Sequence, residues 1–286
     1  QLSNLEQMGY QTMTDIQAQS LPLAIENHDL IAQAKTGSGK TAAFGIGLLL
    51  KIEPRSFNVQ SLIMCPTREL CTQVANEIRR LARYQQNIKV VVLCGGQSIG
   101  PQIGSLEHGA HIVVGTPGRL KEHLEKGSID FDGLEFLVLD EADRMLDMGF
   151  TEDVLAIAER CSSTRQTLLY SATLDGRKLQ HAIPLLLNEP QTIELSSNNQ
   201  ANPNITQQMV LTDDEKHKST LLLRLLEKGL FDKVVVFTNT KAQTGKLSGW
   251  LRYKDIHCGV LHGDMTQDAR NEEMARVRNG KLKILL

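Results

Sequence analysis

Seven consecutive residues, Lys35-Thr36-Gly37-Ser38-Gly39-Lys40-Thr41, combine flexible glycines with a cation and a hydroxyl. Glycines at 37 and 39 let backbone N–H groups curl around an anion, and the helix-forming TAAFGIGLLL that follows adds a helix N-terminus. In that arrangement Lys40 reaches the β and γ phosphates of a nucleoside triphosphate, and the Thr41 hydroxyl holds Mg²⁺. Ala34 stands where the strict GxxxxGK[ST] pattern has its first glycine. By itself GSGKT is also compatible with a surface turn, but its place between an apolar run and a helix favours phosphate binding.

The segment LEFLVLDEADRML sets Asp140 and Glu141 at the end of another apolar run, where open α/β sheets hold their ligands. Asp140 is placed to hold Mg²⁺, usually through water, and Glu141 to orient and deprotonate an attacking water. The same carboxylates could equally be an acidic N-cap on a short helix. A phosphate loop about 100 residues upstream tips the reading toward catalysis.

These groups need strands and helices to hold them. Short apolar runs recur at 29–34, 61–66, 88–94, 111–116, 134–140 and 166–172. Amphipathic stretches lie between them, such as Glu69 to Arg83 with Leu70, Val74, Ile78 and Leu81 at helical spacing. Strands that read as near-continuous Val/Ile/Leu, separated by helices, predict a parallel sheet covered on both faces. The fold class is therefore α/β, with a first domain over 1–196. The polar run SSNNQANPN at 196–204 contains the predicted linker, 197–204. The alternation restarts at ITQQMVL, with strands predicted at KVVVFTN, near HCGVL and at KLKILL. Residues 205–286 are too few for a domain of this type, which predicts an incomplete second domain.

Composition narrows the class further. Of 286 residues, 41% are hydrophobic and 22% charged, as in globular proteins that bury a core, and the net charge is −2. A nucleic acid would have to bind in a local groove, not through a global positive field. Five cysteines form no CxxC pair, and eight histidines show no metal spacing, so a reducing cytoplasm is expected. The longest apolar stretch, Ala42 to Leu50, is far short of the roughly 20 residues of a membrane span. No signal peptide opens the sequence, and a start at Gln1 suggests residues trimmed there.

The tetrapeptide Asp140-Glu141-Ala142-Asp143 is the one that names the DEAD-box RNA helicases, and the other motifs of that family occur here in order over essentially the whole chain. Gly9-Tyr10 with Thr14, Ile16 and Gln17 resembles its adenine-reading segment. The resemblance implies a stacking face at Tyr10 and an amide at Gln17 that pairs both edges of adenine. Pro66-Thr67-Arg68-Glu69-Leu70, Gly95-Gly96 and Thr116-Pro117-Gly118-Arg119 are similar to the RNA-backbone motifs, the sequence-independent kind of contact. Ser171-Ala172-Thr173 resembles the motif that couples the ATP state to strand separation, partly through Asp143. Phe237-Thr238-Asn239-Thr240 and His262-Gly263-Asp264-Met265, with Gln267 and Arg270, resemble the motifs at the RNA-facing edge of the second domain.

The resemblance implies two tandem RecA-like domains, the second truncated, with ATP and Mg²⁺ as cofactors and RNA bound across both domains. It implies a monomer, and short duplexes unwound locally at the expense of ATP. AKTGSGKTAAFG and LRRLARYQQNIKVVVLCGGQ look similar to the bacterial DbpA-like branch, and the second half also to SrmB-like relatives. Both branches imply a role in ribosome assembly, with ribosomal RNA as partner. There are three departures. An aromatic upstream of the adenine segment would precede Gln1, and Lys35 replaces the usual Gln without expected harm. The arginine-finger motifs would follow KLKILL, so the chain as written is expected to hydrolyse ATP poorly. Two alternatives stay open, an ATP-gated RNA clamp with little turnover and a DNA translocase on the same fold.

Overall fold

A computed structural model describes residues 2–195, 205–229 and 231–286; the predicted linker, 197–204, lies outside the described residues. The chain divides into two compact units, Gln1–Asn199 and Gln200–Leu286.

Among its described residues the first unit holds seven strands: β1 (Leu30–Gln33), β2 (Ser61–Met64), β3 (Val90–Leu93), β4 (Ile112–Gly115), β5 (Phe136–Leu139), β6 (Gln166–Ser171) and β7 (Gln191–Glu194). They form one sheet in the order β3-β4-β2-β5-β6-β1-β7, and every neighbouring pair is parallel. The six predicted runs each contain a strand, trimmed at the ends. The seventh, β7, carries no continuous apolar run; of its four residues only Ile193 is buried. Such an edge strand escapes a reading that looks for buried runs.

Two cores, one on each face, follow from the alternation of side chains along a strand. Leu30, Ala32, Ile63, Phe136, Val138, Leu168 and Tyr170 point to one face. Ile31, Leu62, Met64, Leu137, Leu139 and Leu169 point to the other. Burial on both faces explains why the strands read as unbroken hydrophobic runs.

The helix Lys40–Leu49 leads away from β1 and packs between the helix Asp15–Ile25 and the helix Arg68–Leu81. Glycines make that closeness possible. A Cβ on Gly45 would sit 2.7 Å from Ile78 Cδ1, and one on Gly47 would sit 3.3 Å from the Ala24 Cβ. The predicted helix at 69–83 runs instead from Arg68 to Leu81, and a 3₁₀ turn, Ala82–Tyr84, completes it. Thr67 starts that helix by accepting the Leu70 N–H at 3.3 Å.

The second unit contains the helices Glu215–Glu227, Lys241–Tyr253 and Gln267–Arg278 and two parallel strands, β8 (Val234–Val235) and β9 (Ile284–Leu285). The strand predicted near HCGVL is reduced to one bridge, Gly259 to Leu285, and residues 205–212 adopt neither helix nor strand. Among the described residues no helix is long and apolar enough to cross a membrane.

Gly45→Leu should lower the stability of the first unit by about 1–3 kcal/mol through overpacking against Ile78 and Leu81. Urea denaturation of the variant beside the parent checks it.

Candidate nucleotide and nucleic-acid sites

In an all-parallel sheet every strand ends on the same edge, so the loops that follow β1, β5 and β6 emerge side by side. The loop after β1 carries Thr36 to Thr41. Gly37 and Gly39 have φ of +82° and +94°, left-handed values at which other residues are strained. Gly39 has a second reason to lack a side chain, since a Cβ there would lie 2.5 Å from Gln17 Nε2.

Lys40 and Asp140 are brought together across the edge. Their side chains are almost wholly buried, with Nζ and Oδ1 3.4 Å apart. Among the described residues neither atom has a hydrogen-bond partner, nor does the buried Ser38 hydroxyl. Burial pushes the Asp140 carboxyl above its usual range, Lys40 opposes that shift, and Glu141 adds to it. Among the described residues, no three His, Cys, Asp or Glu side chains converge as a metal cage. Asp140 Oδ1, buried and without a hydrogen-bond partner, is an oxygen of the kind a hard divalent cation takes.

Glu141 occupies the residue before the helix Ala142–Asp147, with φ +53° and ψ +50°, but its side chain does not cap that helix. One carboxylate oxygen instead accepts the Thr36 hydroxyl at 3.1 Å, and the other accepts Arg144 Nη1 at 3.3 Å. A left-handed glutamate is a strained residue held by its surroundings, a feature concentrated at functional sites. Arg144 was absent from the predicted set, although its i,i+3 spacing from Glu141 was readable.

Asp143, Ser171 and Thr173 also converge. Asp143 Oδ2 accepts the Thr173 N–H at 3.2 Å and the Thr173 hydroxyl at 3.1 Å. The Ser171 hydroxyl donates to the Thr173 carbonyl at 2.5 Å. The loops after β5 and β6 are thereby clamped together. Gln33, which no sequence signal marked, adds a bond to the Ala172 carbonyl at 3.2 Å.

Gln17 is buried, not an exposed helical glutamine. Its Oε1 accepts the Thr14 N–H at 3.0 Å, and its Nε2 donates to the Gly39 carbonyl at 3.2 Å, tying it to the phosphate loop. Tyr10 is half-buried, and its hydroxyl donates to Glu77 at 2.7 Å. Glu77 had no distinguishing signal, being one more charge on the outer face of an amphipathic helix.

The loops after β2, β3 and β4 form the other half of the edge. Arg68 lies over the Gly95-Gly96 turn so closely that a Cβ on Gly96 would come within 2.3 Å of three guanidinium atoms. Gly96 also has φ of +77°. Pro66 is buried, and Thr67 is spent on its helix. Thr116 stands at the start of the helix Pro117–Glu125 without capping it through its side chain, and Gly118 lies in its first turn. Arg119 donates to the Gln97 carbonyl at 2.8 Å and pairs with Glu122 at 3.1 Å. In the second unit Asn239, Thr240 and Gly263 line one cavity of about 420 Å³ at the carboxyl ends of β8 and β9. The Thr240 side chain accepts the Gln243 N–H at 3.2 Å, and Lys241 and Asp264 form an ion pair beside it.

Residues 14–182 match the DEAD/DEAH box helicase family model. The chain belongs to this family. Residues 217–286 match the helicase conserved C-terminal domain. Among DEAD-box relatives, the ATP-dependent RNA helicase DbpA of Escherichia coli (strain K12) is 45% identical over 100% of this chain and 62% of its own length. The ATP-dependent RNA helicase DeaD of Haemophilus influenzae is 38% identical over 100% of this chain and 46% of its own. The chain thus spans less than two thirds of these relatives. A solved structure of S. cerevisiae Dbp5 bound to RNA and ADP BeF3 matches with a TM-score of 0.90 at 26% identity, covering 99% of this chain and 72% of that one. A DEAD box protein from Methanococcus jannaschii matches at 0.66 with 36% identity, covering 99% and 76%. The fold is α/β and RecA-like in both domains, as in these helicases.

Burial, followed by the bond to Glu77, pushes the Tyr10 phenol up to about 12. An unfolded tyrosine ionises near 10, so this contribution to stability is intact below about pH 10 and lost as pH climbs toward about 12. Tyr10→Phe should flatten that decline, as read by urea denaturation at about pH 9 and about pH 11.

Proposed function

We propose that this chain is the nucleotide- and RNA-binding core of an ATP-dependent RNA helicase. The observation that carries the reading is the buried Lys40–Asp140 pair, unpartnered at the phosphate loop, with Glu141 beside it. Buried charges whose facing atoms, Lys40 Nζ and Asp140 Oδ1, have no hydrogen-bond partner are costly, and an anionic phosphate with its cation would satisfy both.

In this reading Lys40 binds the β and γ phosphates, while N–H groups of the loop from Thr36 through Gly37, Ser38 and Gly39 cradle them. Thr41 and Asp140 hold Mg²⁺, which supplies charge neutralisation at the phosphates when bound. Glu141 orients the attacking water and takes its proton. Its present bonds to Thr36 and Arg144 hold the carboxylate in place until nucleotide draws Thr36 away. Tyr10 and Gln17 frame the adenine. Because Gln17 also holds the Gly39 carbonyl, base recognition and phosphate-loop shape depend on one side chain.

RNA is held by backbone contact at Pro66, Thr67, Arg68, Gly95, Gly96, Thr116, Pro117, Gly118 and Arg119 in the first unit. Asn239, Thr240 and Gly263 serve the second. Arg68 supplies the cation of the first group, and Arg119 acts through the loop it braces. Contacts to phosphates and 2′-hydroxyls favour RNA over DNA without base reading. Asp143, Ser171 and Thr173 form the coupling clamp, joining the loop that carries Asp140 and Glu141 to the strand beside the phosphate loop. Ribosomal RNA as the target, a monomeric state and a cytoplasmic location belong to the same proposal, carried by the motif resemblance to the DbpA-like branch.

The test is ATP turnover by the native full-length protein with single-stranded RNA and with DNA as control. RNA alone should stimulate turnover. Lys40→Ala should abolish ATP binding, and Glu141→Gln should retain RNA with ATP bound while turnover falls by at least tenfold, in line with loss of a general base. Equal stimulation by DNA would favour a translocase. RNA retention without unwinding would favour a clamp, and unchanged turnover in Glu141→Gln would sink the assignment of Glu141.

A further inference from the structure

Beneath the loop after β3 lies a chain of buried polar side chains that the nucleotide chemistry does not use. Gln102 and His123 are both buried, beside the apolar core of one sheet face. Gln102 Nε2 donates to the Cys94 carbonyl at 2.9 Å. That bond leaves Oε1 as the acceptor end of the amide, and Oε1 lies 3.2 Å from His123 Nε2, so Nε2 carries the imidazole proton. Nδ1 is then the acceptor end of the ring, 2.7 Å from the Ser128 hydroxyl, whose single proton is shared with the His123 carbonyl at 3.1 Å. The relay runs from Ser128 through His123 and Gln102 to one carbonyl.

Burial holds His123 below its usual range; Arg119 and Lys126 push the same way, and Glu122 opposes them. The shift favours the neutral ring that the relay requires.

The position of that carbonyl matters because Cys94 immediately precedes Gly95-Gly96. Where Gly96 lies decides where Arg68 rests, since the guanidinium sits in the space a side chain at 96 would fill. A second strap, Arg119 to the Gln97 carbonyl, comes from the helix Pro117–Glu125 that also carries His123 and holds the far side of the turn. Two buried polar residues and a half-buried serine serving a single carbonyl is an expensive way to finish a loop.

We infer that Gln102 and His123 are positioning residues for RNA binding, acting through the Cys94 carbonyl on the Gly95-Gly96 turn and the Arg68 that covers it. The inference rests on the RNA reading of that edge. It assigns affinity for RNA, but not for ATP, to two side chains that touch neither.

The experiment compares Gln102→Glu, His123→Leu and His123→Gln in the full-length protein. The probes are a fluorescent single-stranded RNA, read by anisotropy with a non-hydrolysable ATP analogue, the KM for ATP, and thermal unfolding. Gln102→Glu keeps the shape but loses the donor to Cys94, and His123→Leu loses the donor to Gln102. Each should weaken RNA binding by about 3- to 10-fold, the effect of one hydrogen bond, with the KM for ATP within about twofold. His123→Gln presents an amide near the Nε2 position and should restore affinity to within about twofold of the parent.

Unchanged RNA affinity in folded Gln102→Glu and His123→Leu would overturn the inference while leaving the helicase reading intact. So would parallel loss of ATP and RNA binding, failure of all three variants to unfold cooperatively, or a His123→Gln no better than His123→Leu, since the relay would then serve the fold alone. A parent protein that binds no RNA would remove the reading on which the inference rests.

Discussion

Parallel pairing of the seven strands is the constraint on which the first unit depends. With all strands running one way, each carboxyl end opens on the same edge, and each return path must cross a face as a helix or loop. Helices on both faces make the strands apolar throughout, leaving polar chemistry only at the edge. The order β3-β4-β2-β5-β6-β1-β7 then sorts that edge in two. Loops after β5, β6 and β1 carry the nucleotide groups, and loops after β3, β4 and β2 carry the candidate RNA groups. The halves meet where β2 pairs with β5, and there the Asp140 N–H donates to the Met64 carbonyl at 3.0 Å.

On this frame the site concentrates what the rest of the chain avoids. Among the described residues Lys40 Nζ and Asp140 Oδ1 are buried without a hydrogen-bond partner, Glu141 has a left-handed backbone, and the Ser38 hydroxyl is buried without a partner. Each costs free energy that a well-packed scaffold must offset. The scaffold has the means: two apolar cores, and a phosphate-loop helix wedged between neighbours by Gly45 and Gly47. Unsatisfied groups that converge on one point are what a charged ligand would complete.

The hydrogen bonds around the site also show how its parts communicate. Gln17 joins the adenine segment to the phosphate loop, and Thr36 joins that loop to Glu141. Asp143 joins the Glu141 loop to Thr173. Each link is a short side chain bridging two loops, so a change in one loop alters the bonds available to the next. The links run in series along β1, β5 and β6, which are neighbours in space but far apart in sequence.

Much of this was legible in the residues themselves. Six of the seven strands in the first sheet announced themselves as buried runs, because a strand covered on both faces has no polar side to break the pattern. The phosphate loop and the acidic strand end were readable because each is local: a few adjacent residues whose types suit one chemistry. Strand β7, with only Ile193 buried, gave no such pattern, and the strand predicted near HCGVL shrank to the bridge at Gly259. The Glu77 bond to Tyr10, the Gln33 bond to Ala172 and the relay through Gln102 and His123 join residues that local spacing cannot relate. Residue type and local spacing determined the elements and the chemistry they carry. Which side chains meet, which are buried without partners and which brace another loop was decided only when parallel pairing brought distant strand ends onto one edge.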